Sequence, residues 1–353
     1  MSSKKELHEI LERGEKVSER GEKAAFLMLM EISGSSYRRP GAKMMIASDG
    51  EISGTLSGGC LEKDLLEYAK IAIAQNKPMV KTYDLSENEL WGLGVGCNGA
   101  VDVLILPLEQ HSTFWGKVKE EVSFNRIFHL IFEVESGEGW LIDTSNQVIY
   151  QTDNDLPMEV IQRVHSNDQK HKHLTKVIHF NDVRYVIDSV QPLEKLIICG
   201  AGDDAVPVVD LAIKANFDVT VLDPRPLLNH ASRFPNAKHF VQEPFNLKPN
   251  PLTLNNAWWV IMNHHMERDK AALKLALESR PKYVGVLGPV RRTDQLLENL
   301  SISAENLPLY APIGLDLGAE TVEEVAISIV SELLALRNHK QSLHLKGKGK
   351  IHD

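Results

Sequence analysis

Lys195-Leu-Ile-Ile-Cys-Gly-Ala-Gly-Asp-Asp-Ala205 is the stretch that decides the fold. An apolar run ends in Gly200-Ala-Gly202, and the spacing G-x-G-x-x-A leads into a helical pattern that continues to Ala215. A second apolar run, Val219 to Leu222, ends in Asp223, 23 positions after Gly200. Strand, glycine loop, helix, strand and terminal acid, in that order, form the dinucleotide-binding fingerprint of a Rossmann fold. The glycines permit a tight turn and close backbone approach, and the acid is placed to take a ribose hydroxyl. Gly200, Gly202 and Asp223 are therefore candidate cofactor contacts, with NAD(P) or another nucleotide as the implied ligand. Asp203 and Asp204 pull the other way, because they stand where a pyrophosphate would sit. Asp223 also reads as the first residue of an Asp-Pro-Arg-Pro turn.

The alternation continues downstream. Trp258 to Met262 reads as a buried strand, followed by Asn263-His264-His265-Met266 and a helix from about Arg268 to Glu278. Tyr283 to Leu287 is a further strand, then Gly288-Pro-Val-Arg-Arg292 opens another helix. The closing helix, Thr321 to Arg337, begins with the capping box Thr321-x-x-Glu324. In open α/β sheets, ligands bind beyond the carboxyl ends of the strands. His264 falls at such an end and is a candidate contact, with a capping or core histidine as the alternative. Residues 193–338 thus read as an α/β domain, a Rossmann-like doubly wound parallel sheet. Residues 339–353, with Lys346-Gly-Lys-Gly-Lys350, read as a flexible tail.

The N-terminal half is organised around a different stretch. It runs from Gly34-Ser-Ser-Tyr-Arg-Arg-Pro-Gly-Ala-Lys43 to Thr55-Leu-Ser-Gly-Gly-Cys-Leu-Glu62. Between its ends, Lys43 to Ala47 and Glu51 to Thr55 read as the arms of a hairpin around Ser48-Asp49-Gly50. After Gly58-Gly59-Cys60 the spacing turns helical, with Leu61, Leu65, Tyr68, Ala69, Ala72 and Ile73 on one side. Cys60 sits where a helix begins, among unpaired N–H groups that favour the thiolate. Thiolate is both nucleophile and soft-metal ligand. Arg38, Arg39 and Lys43 would add anion binding. A tight glycine turn around a small buried cysteine is the competing reading. A second glycine loop, Trp91 to Gly99, carries Gly96 and Cys97. Alone it reads as turns between strands, but it places a second cysteine-bearing glycine loop in the same domain.

The remaining N-terminal elements are ordinary. Residues 3–20 read as an amphipathic helix, Ala24 to Ile32 as a buried strand, and Met79 to Asp84 and Leu104 to Leu106 as strands. Residues 124–190 contain an antiparallel meander and a last pair of strands, with a domain boundary near Pro192. His165, His171 and His173 have no ligating spacing and read as solvated. With 39 basic and 48 acidic residues among 353, the chain lacks the basic footprint of a nucleic-acid binder. No apolar run is long enough to span a bilayer. Three cysteines, at 60, 97 and 199, make no disulfide framework and fit a reducing cytoplasm.

Taken together, these stretches resemble the XdhC/CoxI family. Gly34-Ser-Ser, Pro40-Gly-Ala-Lys43, Ser57-Gly-Gly-Cys-Leu-Glu62 and Gly92-Leu-Gly-x-Gly-Cys97 are similar to its N-terminal domain. Gly200-Ala-Gly202, Val219-x-Val-Leu-Asp223, Arg233-Phe-Pro235, Tyr283-Val-Gly-Val-Leu-Gly288 and Ala311-Pro-Ile-Gly-Leu-Asp316 are similar to its C-terminal Rossmann domain. The resemblance implies an α+β domain over residues 1–192 followed by the Rossmann-like domain. It also implies a non-enzymatic, often dimeric, maturation factor for xanthine dehydrogenase and related molybdenum hydroxylases. Such a factor binds the molybdenum cofactor (molybdopterin), protects it while an oxo ligand is exchanged for sulfido, and inserts it into the apoenzyme. A cysteine desulfurase supplies the sulfur. On this reading Cys60 contacts molybdenum, with Gly58, Gly59, Gly96 and Cys97 close by and Arg38 and Arg39 on the phosphate. The chain departs from the family where many members carry histidine at the position of Asp203, and Thr-His-Asp-His in place of Asn263 to Met266. His264 and Asp269 match. Two other functions remain open from the residues: an NAD(P)-dependent oxidoreductase using the Rossmann domain, and a non-catalytic thiol redox or nucleotide sensor using Cys60 and Cys97.

Overall fold

The computed structural model describes residues 4–34, 37–84, 99–124, 126–165, 175–249 and 254–341. The loop with Gly96 and Cys97 lies outside these residues, as do His171, His173 and residues 342–353 of the C-terminal tail. The chain divides into two compact units, Met1–Pro192 and Leu193–Asp353.

The first unit contains α1 (Lys4–Glu19), β1 (Ala24–Gly34), β2 (Lys43–Ala47), β3 (Ile52–Gly54), α2 (Glu62–Gln75), β4 (Met79–Asp84) and β5 (Gly99–Pro107). It continues with α3 (Ser112–Ser123), β6 (Phe128–Glu133), β7 (Gly139–Asp143), β8 (Val148–Gln151), α4 (Met158–His165), β9 (Thr175–Phe180) and β10 (Val183–Val190). The strands form two five-stranded antiparallel sheets, ordered β3-β2-β1-β5-β4 and β8-β7-β6-β10-β9. The central strand β1 explains its own sequence. Successive side chains point to opposite faces, and both faces are covered. Ala25, Leu27 and Leu29 pack with Leu65, Ala69 and Ala72 of α2. Phe26, Met28 and Met30 pack with Leu7 and Ile10 of α1, Phe114 and Trp115 of α3, and Phe128, Leu130 and Phe132 of β6. A strand buried on both faces cannot alternate apolar with polar, hence the unbroken run. The other face of the second sheet, with Ile131, Trp140 and Ile142, is closed by Val160, Ile161 and Val164 of α4. The β9–β10 hairpin turns at Asn181 and Asp182, both with positive φ, as a two-residue turn of matching twist requires.

The second unit contains β11 (Glu194–Cys199), α5 (Ala205–Lys214), β12 (Phe217–Leu222), β13 (Lys238–Phe240), β14 (Trp258–Ile261) and α6 (Met266–Glu278). It closes with β15 (Tyr283–Val286), α7 (Val290–Leu300), β16 (Leu309–Tyr310) and α8 (Val322–Arg337). All six strands are parallel and ordered β13-β12-β11-β14-β15-β16. The order reverses between β11 and β14, which is the doubly wound Rossmann arrangement and fixes the switch point. Leu196 and Ile198 face the α5 and α8 layer, while Ile197 and Cys199 face the α6 and α7 layer. Cys199 is core, and burial pushes its thiol far above the ordinary range. α6 starts two residues earlier than the spacing suggests because the His265 side chain caps it, accepting from Arg268 N–H at 3.5 Å. The capping box of α8 is formed as expected, with Thr321 and Glu324 bonding reciprocally.

Candidate functional site

Two places collect the residues singled out from the sequence, one in each unit. The first is the switch point of the parallel sheet. Gly200 has φ +123°, and a Cβ there would lie 2.5 Å from the Met262 carbonyl oxygen. The close approach that demands glycine is therefore to the end of β14. His264, in the left-handed region with φ 56°, brings its Nε2 to 2.7 Å from Asp204 Oδ2. The β11–α5 and β14–α6 loops are thus joined across the point of reversal. Asp203 is 97% exposed and pairs with Arg233 at 2.5 Å. Behind His264, Asp269 Oδ1 accepts from Asn263 N–H at 3.1 Å and Nδ2 at 3.0 Å, and its Oδ2 takes Arg292 Nη2 at 2.6 Å.

Asp223 behaves differently from a ribose-binding acid. Its side chain is fully buried. Oδ2 accepts from Ala201 N–H at 2.9 Å and Arg225 Nη2 at 2.6 Å; Oδ1 accepts from Arg225 N–H and Nε, each at 2.9 Å. Burial alone would raise this carboxyl, but the Arg225 and Ala201 hydrogen bonds outweigh it and hold the group below its ordinary range. The expected ribose contact is instead a turn lock. A sugar would have to displace a bidentate arginine, and the pyrophosphate would meet the Asp203 and Asp204 carboxylates at the helix start. That arrangement runs against the anion preference of a helix N-terminus.

The second place is the loop from Thr55 to Leu61. α2 begins at Glu62, with Leu61 as an N-cap that makes no side-chain cap bond. Gly58 and Gly59, with φ +74° and +112°, curl the chain ahead of it, and Cys60 is partly exposed. The N–H groups ahead of the helix, which the sequence leaves unpaired beside Cys60, are filled by Glu62. Its Oε1 accepts from Thr55 Oγ1 at 2.7 Å, Leu56 N–H at 3.0 Å and Ser57 N–H at 2.9 Å. Its Oε2 accepts from Gly59 N–H at 2.9 Å, Leu61 N–H at 3.2 Å and the Ser57 hydroxyl. Partial burial raises the Glu62 carboxyl, but the hydrogen bonds from the Ser57 and Thr55 hydroxyls and from the backbone win, bringing it down to about 2.

The basic residues of this stretch part company. Arg38 donates from Nη2 to Glu6 Oε1 at 2.8 Å and from Nη1 to the Thr55 carbonyl at 3.0 Å, so it clips α1 to the start of the loop. Arg39 is partly buried nearby. Lys43 is a correction to the expectation of a binding residue: it is fully buried, 2.7 Å from Asp188 Oδ2, and donates to the Gly41 carbonyl at 2.9 Å. Asp188 also accepts from Thr175 Oγ1 at 2.6 Å. Lys43 therefore ties β2 to β10 and β9 from inside. Gly58, Gly59, Cys60 and Arg38 come together. Two residues of the same loop region escaped the sequence reading. Glu62 is one; its signal was an acid at the first helical position after a Thr-x-Ser-Gly-Gly turn. Tyr37 is the other, 63% exposed, with its ring packed on Gly58 so that a Cβ there would meet it at 3.2 Å. Among the described residues no group of three or more histidine, cysteine, aspartate or glutamate side chains could hold a metal ion, and no helix is long and apolar enough to cross a membrane.

Comparison with known proteins gives these two places a common context. Residues 17–84, which include the Cys60 loop, match the model of the XdhC and CoxI family, and residues 196–333 match that of the XdhC Rossmann domain. The chain is 31% identical over 329 residues to a probable xanthine dehydrogenase subunit of Bacillus subtilis, spanning 90% of this chain and 94% of that protein. It is 22% identical over 326 residues to the molybdenum cofactor insertion chaperone PaoD of Escherichia coli, spanning 91% of this chain and 86% of PaoD. The crystal structure of a xanthine dehydrogenase from Bacillus halodurans superposes with a TM-score of 0.77 at 29% identity, covering 94% of this chain and 96% of that one. With both family models matched in chain order and a full-length relative at this identity, the chain belongs to the XdhC and CoxI family.

Proposed function

We propose that this protein is a maturation factor for xanthine dehydrogenase or a related molybdenum hydroxylase. It binds the molybdenum cofactor as cargo, protects it during sulfuration and hands it to the apoenzyme. The observation that carries this reading is the likeness, over nearly the whole chain, to the cofactor insertion chaperone PaoD and to a probable xanthine dehydrogenase subunit. The site chemistry supports a carrier. A partly exposed cysteine on a fixed glycine loop offers one soft ligand to a metal that arrives already complexed by its pterin. Reversible handover needs that kind of contact, and a closed set of protein ligands would oppose release. Cys60 makes the molybdenum contact, flanked by Gly58 and Gly59, with Gly96 and Cys97 on the second glycine loop. A cysteine desulfurase supplies sulfur, the apoenzyme takes the loaded cofactor, and the carrier acts as a homodimer.

The oxidoreductase reading finds less support. The strand order suits a dinucleotide, but Asp223 is saturated by Arg225 and Ala201, and two further acids stand at the helix start.

The test is the pterin and molybdenum content of protein purified anaerobically from a host that makes the cofactor, beside Cys60→Ala. Wild type is expected to carry both. The variant is expected to carry several-fold less while melting at the same temperature. Equal content in the two would remove Cys60 from the site. Neither pterin nor metal on wild type, with tight NAD(P) binding instead, would move the assignment to the oxidoreductase.

A further inference from the structure

The Glu62 carboxylate gathers four backbone N–H groups and two hydroxyls, all from residues 55–61. Convergent N–H groups of this kind form an anion nest. In phosphate-binding loops the anion is the ligand, and the loop takes its final shape around it. Here the anion belongs to the chain. The nest is filled before any ligand arrives, and a cargo phosphate would have to expel a carboxylate tethered one residue away from the N-cap. The remaining face of the loop is its cysteine. Cys60 lies between two of the donors: Gly59 N–H bonds Oε2 at 2.9 Å, and Leu61 N–H is shared between Oε2 at 3.2 Å and, at 2.8 Å, the Ser57 hydroxyl oxygen that itself bonds Oε2. The Gly58–Gly59 and Cys60–Leu61 peptides, one before and one after the Gly59–Cys60 link, are therefore tied to one carboxylate oxygen. The far end of the loop is held separately, through the Thr55 carbonyl that Arg38 grips.

We propose that Glu62 is a positioning residue: a built-in anion that holds the loop before and after Cys60 and so sets how the thiol is presented. The cargo it is presented to rests on the maturation-factor reading; the loop assignment does not. Glu62 touches neither the metal nor the pterin. It acts through the backbone.

The experiment uses the full chain. Amide hydrogen exchange is followed at Leu56, Ser57, Gly59 and Leu61, and alkylation of Cys60 by iodoacetamide is followed by peptide mass spectrometry. Wild type is compared with Glu62→Ala and Glu62→Gln, each with and without added formate. In wild type the four amides are expected to be protected. In Glu62→Ala the Leu56, Ser57 and Gly59 amides should exchange at least ~10-fold faster, the scale set by losing a hydrogen bond to a charged acceptor, while Leu61 N–H, which also donates to the Ser57 hydroxyl oxygen at 2.8 Å, should change less. Cys60 should be alkylated faster as the loop loosens. Formate is the probe of the emptied nest, and should restore slow exchange and the wild-type alkylation rate in Glu62→Ala. It should not do so in Glu62→Gln, whose amide still fills the space and turns N–H groups toward N–H groups. Rescue by a small carboxylate separates an anion role from a general loss of stability. Unprotected amides in wild type, or no response to formate in a folded Glu62→Ala, would overturn the proposal. If Glu62→Ala does not fold, wild-type protection and the Glu62→Gln exchange rates decide. Pterin content is read on the same samples. Protected, formate-rescued amides on a wild type that carries no pterin would uphold the loop assignment and overturn the cargo reading. Pterin lost from Glu62→Ala while exchange and alkylation stay at wild-type rates would overturn the loop assignment alone.

Discussion

Glu62 and Lys43 are charged groups of the same stretch, one partly and one fully buried, and each has its own measurable signature. The Glu62 carboxyl lies at about 2 in the folded protein against an ordinary 4.5. A carboxyl depressed by folding contributes stability that is complete above its unfolded value and lost as pH falls through its folded value. Denaturant midpoints should therefore fall between pH 4.5 and 2 more steeply in wild type than in Glu62→Ala, whose loop has no such group; equal slopes would mean that the hydrogen bonds to Glu62 add nothing. Lys43 calls for a different measurement. Removing one member of a fully buried ion pair strands the other, at a cost of about 3–5 kcal/mol. Lys43→Met should lower unfolding stability by that amount in a urea titration, and the double variant Lys43→Met, Asp188→Leu should recover most of it. The sequence could not reveal this pair. Lys43 stands beside two arginines and a glycine loop, which suggests a ligand, while Asp188 is 145 positions away on another sheet. Glu62 was closer to legible, since its partners all lie within seven residues, but nothing in spacing alone says whether a nest is filled by the chain or by a ligand.

At the scale of elements, periodicity carried most of the information. Strands buried on both faces, the capping box at Thr321 and the glycine-to-helix step at Gly200 all follow from local rules, and all are present. What local rules could not give is the occupant of a fingerprint. Gly200, Gly202 and Asp223 satisfy the dinucleotide pattern, yet the Gly200 backbone approaches Met262 and the Asp223 carboxylate holds its own turn. The same pattern thus serves strand-loop packing with no nucleotide contact required. Two results should follow. Gly200→Ala places a side chain at φ +123° and 2.5 Å from a carbonyl oxygen, combining backbone strain with overpacking; about 2–5 kcal/mol should be lost, measured by denaturant unfolding. Titration calorimetry with NAD+ and NADP+ should show no binding tighter than about millimolar, the scale at which association yields only ~4 kcal/mol. A micromolar dissociation constant would mean that Arg225 releases Asp223 for a ribose.

The whole molecule divides where composition and pattern change, between Pro192 and Leu193. Each unit has a core of its own: Phe26, Trp115 and Phe132 meet as tilted rings in the first, and Trp258, Tyr283 and Tyr310 stack in the second. A unit with its own core is expected to unfold as its own cooperative step. Calorimetry should then resolve two transitions, with Lys43→Met lowering one and Gly200→Ala lowering the other. That separation gives a way to ask where cargo is held. If the cofactor is carried on the Cys60 loop, Gly200→Ala protein should keep its pterin after heating past the lowered transition, because the unit that holds the thiol is still folded. Lys43→Met protein should lose pterin on passing its own. Pterin released at the Gly200→Ala transition would instead place part of the cargo site on the Rossmann domain. The His264–Asp204 contact at its switch point, which joins two loops where ligands of this fold bind, would then be the first place to mutate.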